Sequence, residues 1–393
     1  MKTLSLRSIQ LILLAIVSTG PLLAATVQSG EKTPPRTLGR VFSKLRAGRT
    51  VTVVFLGGST TAGVGTSRPE RQSYPALVGQ WLRSQYPQPR IELVDAAVPA
   101  TGSVYATLRL RRDVLSYKPD LVILELSRED QSADQQIISK AIEGIIRQLL
   151  VQAEPPEILM LSPVSPTGPT LNSPAQAMAD HYGVATLDLQ AALSATPGQA
   201  GLWNREGELS DAGHRLCAEK IIATLQQQMR LPETPLARRL PQPLVSDELN
   251  YGEFKVLAEF IPPNGLENGA KKAWKREASR HPRLPTVLAT SNRPGSIIET
   301  IFEGTVVGLT WLRGPEAGIF EVLIDGKPAP APLTRIDGYA ERETIGTAII
   351  AGGLGLGEHR LTIRLLPARN ARSRGNRIKF GYLLIGGQRP ERL

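Results

Sequence analysis

Residues 50–65 read TVTVVFLGGSTTAGVG. The stretch from Thr50 to Leu56 is β-branched and apolar with little alternation, the pattern of a strand buried on both faces of a parallel sheet. It stops at Gly57 and Gly58, and Ser59 follows on a glycine-flanked turn. A serine there projects from the strand edge, where neighbouring backbone N–H groups can stabilise an oxyanion. The same residue can also serve as a turn serine capping the next helix. A phosphate loop fits poorly, because its Gly-Lys-Ser/Thr ending is absent.

Further short apolar runs follow at 91–94, 121–126, 158–161 and 184–187. Helical periodicity fills the intervals; the clearest case sets Ile137, Ile138, Ala141, Ile142, Ile145, Ile146, Leu149 and Leu150 on one face. Strands alternating with helices predict a doubly wound, three-layer α/β fold around a parallel sheet, with ligands at the C-terminal ends of the strands.

The pattern changes near Leu231. A proline-rich stretch without strong periodicity marks a linker over 231–245. Beyond it, Phe320, Val322 and Ile324 alternate before Asp325-Gly326, a strong hairpin signal. With the β-rich runs at 298–307, 361–365 and 378–385, this predicts an all-β sandwich over 246–393. The first domain then spans 38–230.

Lys2 and Arg7 precede a short apolar core that ends at Ala24 and Ala25. This is the grammar of a signal peptide over 1–25, and it predicts a secreted or periplasmic protein. No later stretch is long and apolar enough to span a bilayer. The formal net charge of +10 falls by two when Lys2 and Arg7 are removed. A basic surface suits acidic glycans, lipid headgroups or cell-wall polymers, while export makes nucleic acid an unsuitable partner. The single cysteine, Cys217, rules out an intramolecular disulfide framework and reads as a buried structural thiol. The four histidines are scattered, so no metal site is expected. No nucleotide motif appears, and no cofactor is expected.

Four ordered blocks resemble the SGNH branch of the GDSL hydrolases over residues 38–229. These are FLGGST (55–60), VDAAVPATGS (94–103), KPDLVILELSRED (118–130) and SDAGHRLCAEKI (210–221). The resemblance implies an ester hydrolase fold, many exported members of which deacylate polysaccharides. It puts Ser59 at the nucleophile position and Gly58, Ala100 and Glu129 at oxyanion-hole positions. Ala100 stands where the family has glycine, and Glu129 where it has asparagine. Aligning the family's Gly-His with Gly213-His214 places Arg205 at the catalytic acid and Glu208 at the catalytic histidine. Arg205 and Glu208 are then expected to form a salt bridge. Asp211-Ala212-Gly213-His214 also spells Asp-x-x-His, so a relocated triad of Ser59, His214 and Asp211 is the competing alignment.

The C-terminal region resembles the β-sandwich appendages of secreted carbohydrate esterases. Trp274, in a charged stretch, is the better candidate for stacking on sugar, and Trp311 for core packing. Arg369, Arg372, Arg374 and Arg377 lie in the loop PARNARSRGNR, which either grips an acidic polymer or is simply solvated. Two functions follow, beside a purely structural role for both domains as a third. One is a catalytically impaired SGNH-fold protein binding glycan or other cell-envelope material; the other is a divergent serine esterase removing acetyl groups from a polysaccharide.

Overall fold

The computed structural model describes residues 36–132, 135–168, 173–234, 240–261, 273–281 and 284–387. The expected signal segment over 1–25 and part of the expected linker (235–239) lie outside the described residues.

The first sheet consists of β1 (Val51–Gly57), β2 (Ile91–Ala97), β3 (Leu121–Glu125), β4 (Glu157–Leu161) and β5 (Ala185–Leu187). Its five strands are parallel and ordered β2-β1-β3-β4-β5. The helices are α1 (Gly39–Arg46), α2 (Pro69–Gln72), α3 (Tyr74–Gln85), α4 (Ser103–Asp113), α5 (Gln135–Leu150), α6 (Ser173–Tyr182), α7 (Leu189–Ser194) and α8 (Asp211–Gln228). Every residue of β1 is buried, because the strand feeds two cores. Val53 and Phe55 pack towards α1, α3, α7 and α8, whereas Val54 and Leu56 pack towards α4, α5 and α6. This two-sided burial is why the strand reads as a continuous apolar run. Cys217 is buried in the first of these cores. The strand order reverses between β1 and β3, and the crevice beyond their carboxyl ends is where such sheets bind ligands.

The C-terminal part is antiparallel and sandwich-like. One sheet contains β6 (Gly252–Val256), β7 (Lys275–Ala278), β8 (Val287–Ser291), β10 (Val306–Arg313), β14 (Thr344–Ala351) and β16 (Ile378–Gly386). The other contains β9 (Ile297–Glu303), β11 (Ile319–Ile324), β12 (Lys327–Pro328), β13 (Arg335–Asp337) and β15 (Glu358–Leu365). Phe302, Phe320 and Val322 of one sheet share a core with Leu309, Phe380 and Leu383 of the other. Asp325 and Gly326, at φ 51° and 77°, turn β11 into β12 as their sequence predicts.

Two sequence expectations need correction here. The run 298–307 is not one strand. Gly304, at φ 152°, lets the chain leave β9 and enter β10 in the other sheet, a conformation that side-chain-bearing residues rarely adopt. Trp274 is not available to stack on sugar. It is fully buried, with its ring centroid 5.7 Å from that of Phe380, because its charged sequence neighbours flank an inward-facing position.

Helix α4 carries the contact between the two parts. Leu108 packs with Leu249, Val306 and Leu384. Gly252 and Gly386 face each other across β6 and β16, and both lie against Leu108. A Cβ on Gly252 would come within 2.6 Å of the Leu108 backbone, and one on Gly386 within 2.5 Å of its side chain. The Arg112 guanidinium sits 4.5 Å and 4.7 Å from the ring centroids of Phe254 and Tyr382, a cation–π clamp on the same seam.

Candidate functional site

The turn after β1 is held from below by Glu125, the last residue of β3. Its Oε2 accepts the Gly58 N–H at 3.0 Å and the Thr61 hydroxyl at 2.8 Å. The Thr61 and Tyr74 hydroxyls are 2.7 Å apart. Burial raises the Glu125 carboxyl to about 7, against the two hydrogen bonds that favour its charged form. The glycines before Ser59 are dictated by this crowding. A side chain on Gly57 would run into Thr61 and Glu125, and one on Gly58 into Ser127.

Ser59 itself is buried, 6% exposed, beneath the carboxylate of Glu129. Its hydroxyl donates to Glu129 Oε1 at 2.9 Å, and its oxygen accepts the Ala100 N–H at 2.9 Å. Glu129 Oε2 accepts the Ser127 hydroxyl. Ala100 sits at φ 58°, the left-handed region that a glycine occupies without strain. The structure therefore brings Ser59, Ala100 and Glu129 together. Gly58 adjoins them, but its N–H is committed to Glu125. Asp130, beside Glu129, accepts the Ser103 N–H at 2.9 Å and the Ser103 hydroxyl at 2.5 Å, and so caps the start of α4.

Glu208 pairs with Arg128, not with Arg205. Arg128 also donates to the Gly207 carbonyl at 3.0 Å, while Arg205 is exposed on the same turn. The expected Arg205–Glu208 bridge is thereby corrected. Asn204 Oδ1 accepts the N–H groups of Glu206 and Glu208 at 3.0 and 2.9 Å, a tight turn that leaves Arg205 pointing to solvent. Burial raises the Glu208 carboxyl, opposed by Arg128 and reinforced by the negative charge of Glu129.

Asp211 and His214 are engaged elsewhere. Asp211 accepts the Ser67 N–H and hydroxyl at 2.8 and 2.6 Å. His214 is fully buried; its Nδ1 accepts the Tyr74 N–H at 3.3 Å, and its ring stacks on Tyr74 with centroids 6.1 Å apart. Burial lowers its pKa to about 4, opposed by a backbone hydrogen bond at Val64 and by the charge of Asp211. No hydrogen bond joins any two of Ser59, His214 and Asp211.

Sequence reasoning missed Glu125, Ser127 and Arg128. The available signal was a carboxylate ending the apolar run LVILE, since a charge at the end of a buried strand must find partners. Arg128 gave no signal, because its partner lies 80 positions away.

Beside Glu129 lies a cleft of about 500 Å³ between the two parts of the chain. Ala100, Tyr105 and Glu129 form one side; Trp311, Arg313 and Thr347 form the other. Tyr105 Oη, Trp311 Nε1, Arg313 Nε and Thr347 Oγ1 are buried without a hydrogen-bond partner among the described residues.

This is a flavodoxin-like hydrolase scaffold with a serine at its topological switch point. Residues 55–216, most of the α/β part of the chain, match the GDSL-like lipase/acylhydrolase family. Comparison with curated proteins finds no match. Among solved structures, the chain is similar to a two-domain esterase (CEX) active on acetylated mannans, co-crystallised with mannopentaose. That match has 20% identity and a TM-score of 0.77, and covers 91% of this chain and 97% of that one. A second structure of a two-domain esterase (CEX) active on acetylated mannans matches at 21% identity and a TM-score of 0.76, covering 90% and 97%. At these identities the likeness shows a shared fold across both parts. No helix among the described residues is long and apolar enough to cross a membrane.

Proposed function

We propose that this is an exported, hydrolytically impaired SGNH-fold protein that binds polysaccharide in the cleft beside Glu129. One observation carries the reading: the Ser59 hydroxyl is bonded to a carboxylate that stands where the family has an oxyanion donor. An ionised Glu129 repels the negative charge that develops during ester attack. The position of the family's histidine is filled by Glu208, tied to Arg128. Unpaired polar atoms in the residues lining the cleft favour a ligand rich in hydroxyl groups. The similar esterase's mannopentaose supports a glycan as that ligand, and the basic N-terminal residues with the apolar run after them support export.

The same hydrogen bond also supports a second reading, a divergent esterase in which Glu129 is the base. Ser59 Oγ would attack an acetyl carbonyl as its proton passes to Glu129. That proton would then go to the departing sugar oxygen, and water would hydrolyse acetyl-Ser59.

The deciding experiment measures hydrolysis of 4-nitrophenyl acetate by the mature protein beside Ser59→Ala, together with retention on acetylated and deacetylated mannan. Glycan retention without Ser59-dependent turnover is expected. Turnover that vanishes in Ser59→Ala would establish the esterase instead.

A further inference from the structure

We propose that loop 367–377 is an anion-reading rim of the cleft, which makes the preferred ligand an acidic polysaccharide; this rests on the glycan-binding reading above. The loop is pinned at its base. Ser373, 5% exposed, donates to the Ala317 carbonyl at 2.9 Å, and the Arg374 N–H donates to the Pro315 carbonyl at 2.8 Å. Asn370 Nδ2 donates to Asp337 Oδ2 at 2.6 Å. With the backbone so held, the arginines are displayed outward, which lowers the ordering cost of binding.

Arg369 and Arg374 are exposed and have no side-chain partner among the described residues, as is true of Arg342 across the turn. Arg372 lies over the Tyr339 ring at 5.1 Å and reaches exposed Glu341 at only 3.4 Å, a pair that solvent screens. Arg377 is not part of this rim, because it pairs with Glu277 at 2.6 Å.

The rim is continuous with the cleft. Asp337 and Arg313 both line it, and Arg313 donates to the Tyr339 carbonyl at 2.8 Å. Guanidinium forks match the two oxygens of a carboxylate or sulfate. A polymer running out of the cleft meets these forks next, so its substituents there are anionic.

The test uses the full mature chain in affinity electrophoresis against polygalacturonate, dextran sulfate and neutral glucomannan. The wild type is expected to bind an acidic polymer about tenfold more tightly than the neutral one at low salt, and to lose that margin as salt screens it. Polygalacturonate and dextran sulfate together tell carboxylate from sulfate. Arg369→Ser/Arg372→Ser/Arg374→Ser is expected to abolish the margin while keeping neutral binding and the melting temperature. Arg377→Ser is expected to keep the margin, and Arg374→Glu alone to cut it. A margin that survives in the triple variant overturns the rim, as does a wild type without preference that still binds glucomannan. Binding to none of the three polymers sinks the glycan reading itself. Retention on phosphatidylglycerol vesicles, without polymer binding, would reassign the loop to membranes.

Discussion

Ser59 Oγ and Glu129 Oε1 stand 2.9 Å apart, with the serine donating. The Ala100 N–H, an oxyanion donor by position, is spent on the same serine oxygen. The serine hydroxyl, the Ala100 N–H and the Glu129 carboxylate therefore satisfy one another.

Restoring the family residues should release this arrangement. Arg205→Asp/Glu208→His/Glu129→Asn supplies an acid, a base and an oxyanion donor. Since a base contributes about 10²–10⁴-fold and an oxyanion donor about 10²–10³-fold, Ser59-dependent hydrolysis of 4-nitrophenyl acetate should rise at least about tenfold. Glu129→Asn alone should gain little. A wild type already faster than the triple variant would contradict the impaired reading.

Glu125 should make stability fall as pH rises. Its folded-state pKa of about 7 lies above the ordinary 4.5. Its favourable contribution is therefore complete below 4.5 and lost as pH rises through about 7, a difference on the order of 3 kcal/mol. Glu125→Gln retains an acceptor for the Gly58 N–H and cannot ionise. Melting curves from about pH 5 to 8 should be flatter for the variant; curves parallel to the wild type would show that Glu125 does not titrate there.

His214 works in the opposite direction. Its pKa is depressed to about 4 from 6.5, so its contribution is present above 6.5 and lost as pH falls through about 4. Imidazole resonances followed by NMR should stay those of the neutral ring down to about pH 5. A midpoint near 6.5 would mean that the ring is solvated and free to serve Ser59.

Ala100→Gly should not weaken the fold. Relief of the left-handed backbone, worth about 1–2 kcal/mol, outweighs the entropy that glycine adds to the unfolded chain, about 0.4–1 kcal/mol. A melting temperature equal to or above that of the wild type is expected. A clear drop would show that the alanine methyl packs against something essential.

Much of the scaffold was legible because burial on two faces writes itself into a strand as an unbroken apolar run. That holds for β1, β3 and β4, which are buried throughout; β2 and β5 are only partly buried and were placed from shorter apolar runs, and Asp325-Gly326 marked its own hairpin. The partnerships within the site were less legible. Glu208 chose Arg128 over its near neighbour Arg205, and His214 chose the Tyr74 backbone over Asp211. Trp274 vanished into a core although its sequence neighbours are charged. Each outcome depends on elements that meet only after folding, where spacing along the chain carries no information.

The contact of Gly252 and Gly386 with Leu108 behaves like a shim. The strands rest directly on the helix, and the thickness of that joint sets how far Trp311 and Thr347 stand from Ala100 and Glu129. A methyl group added at either glycine is expected to act as a spacer and widen the aperture without altering an atom that lines the cleft. The width of the cleft thus depends on residues that do not line it.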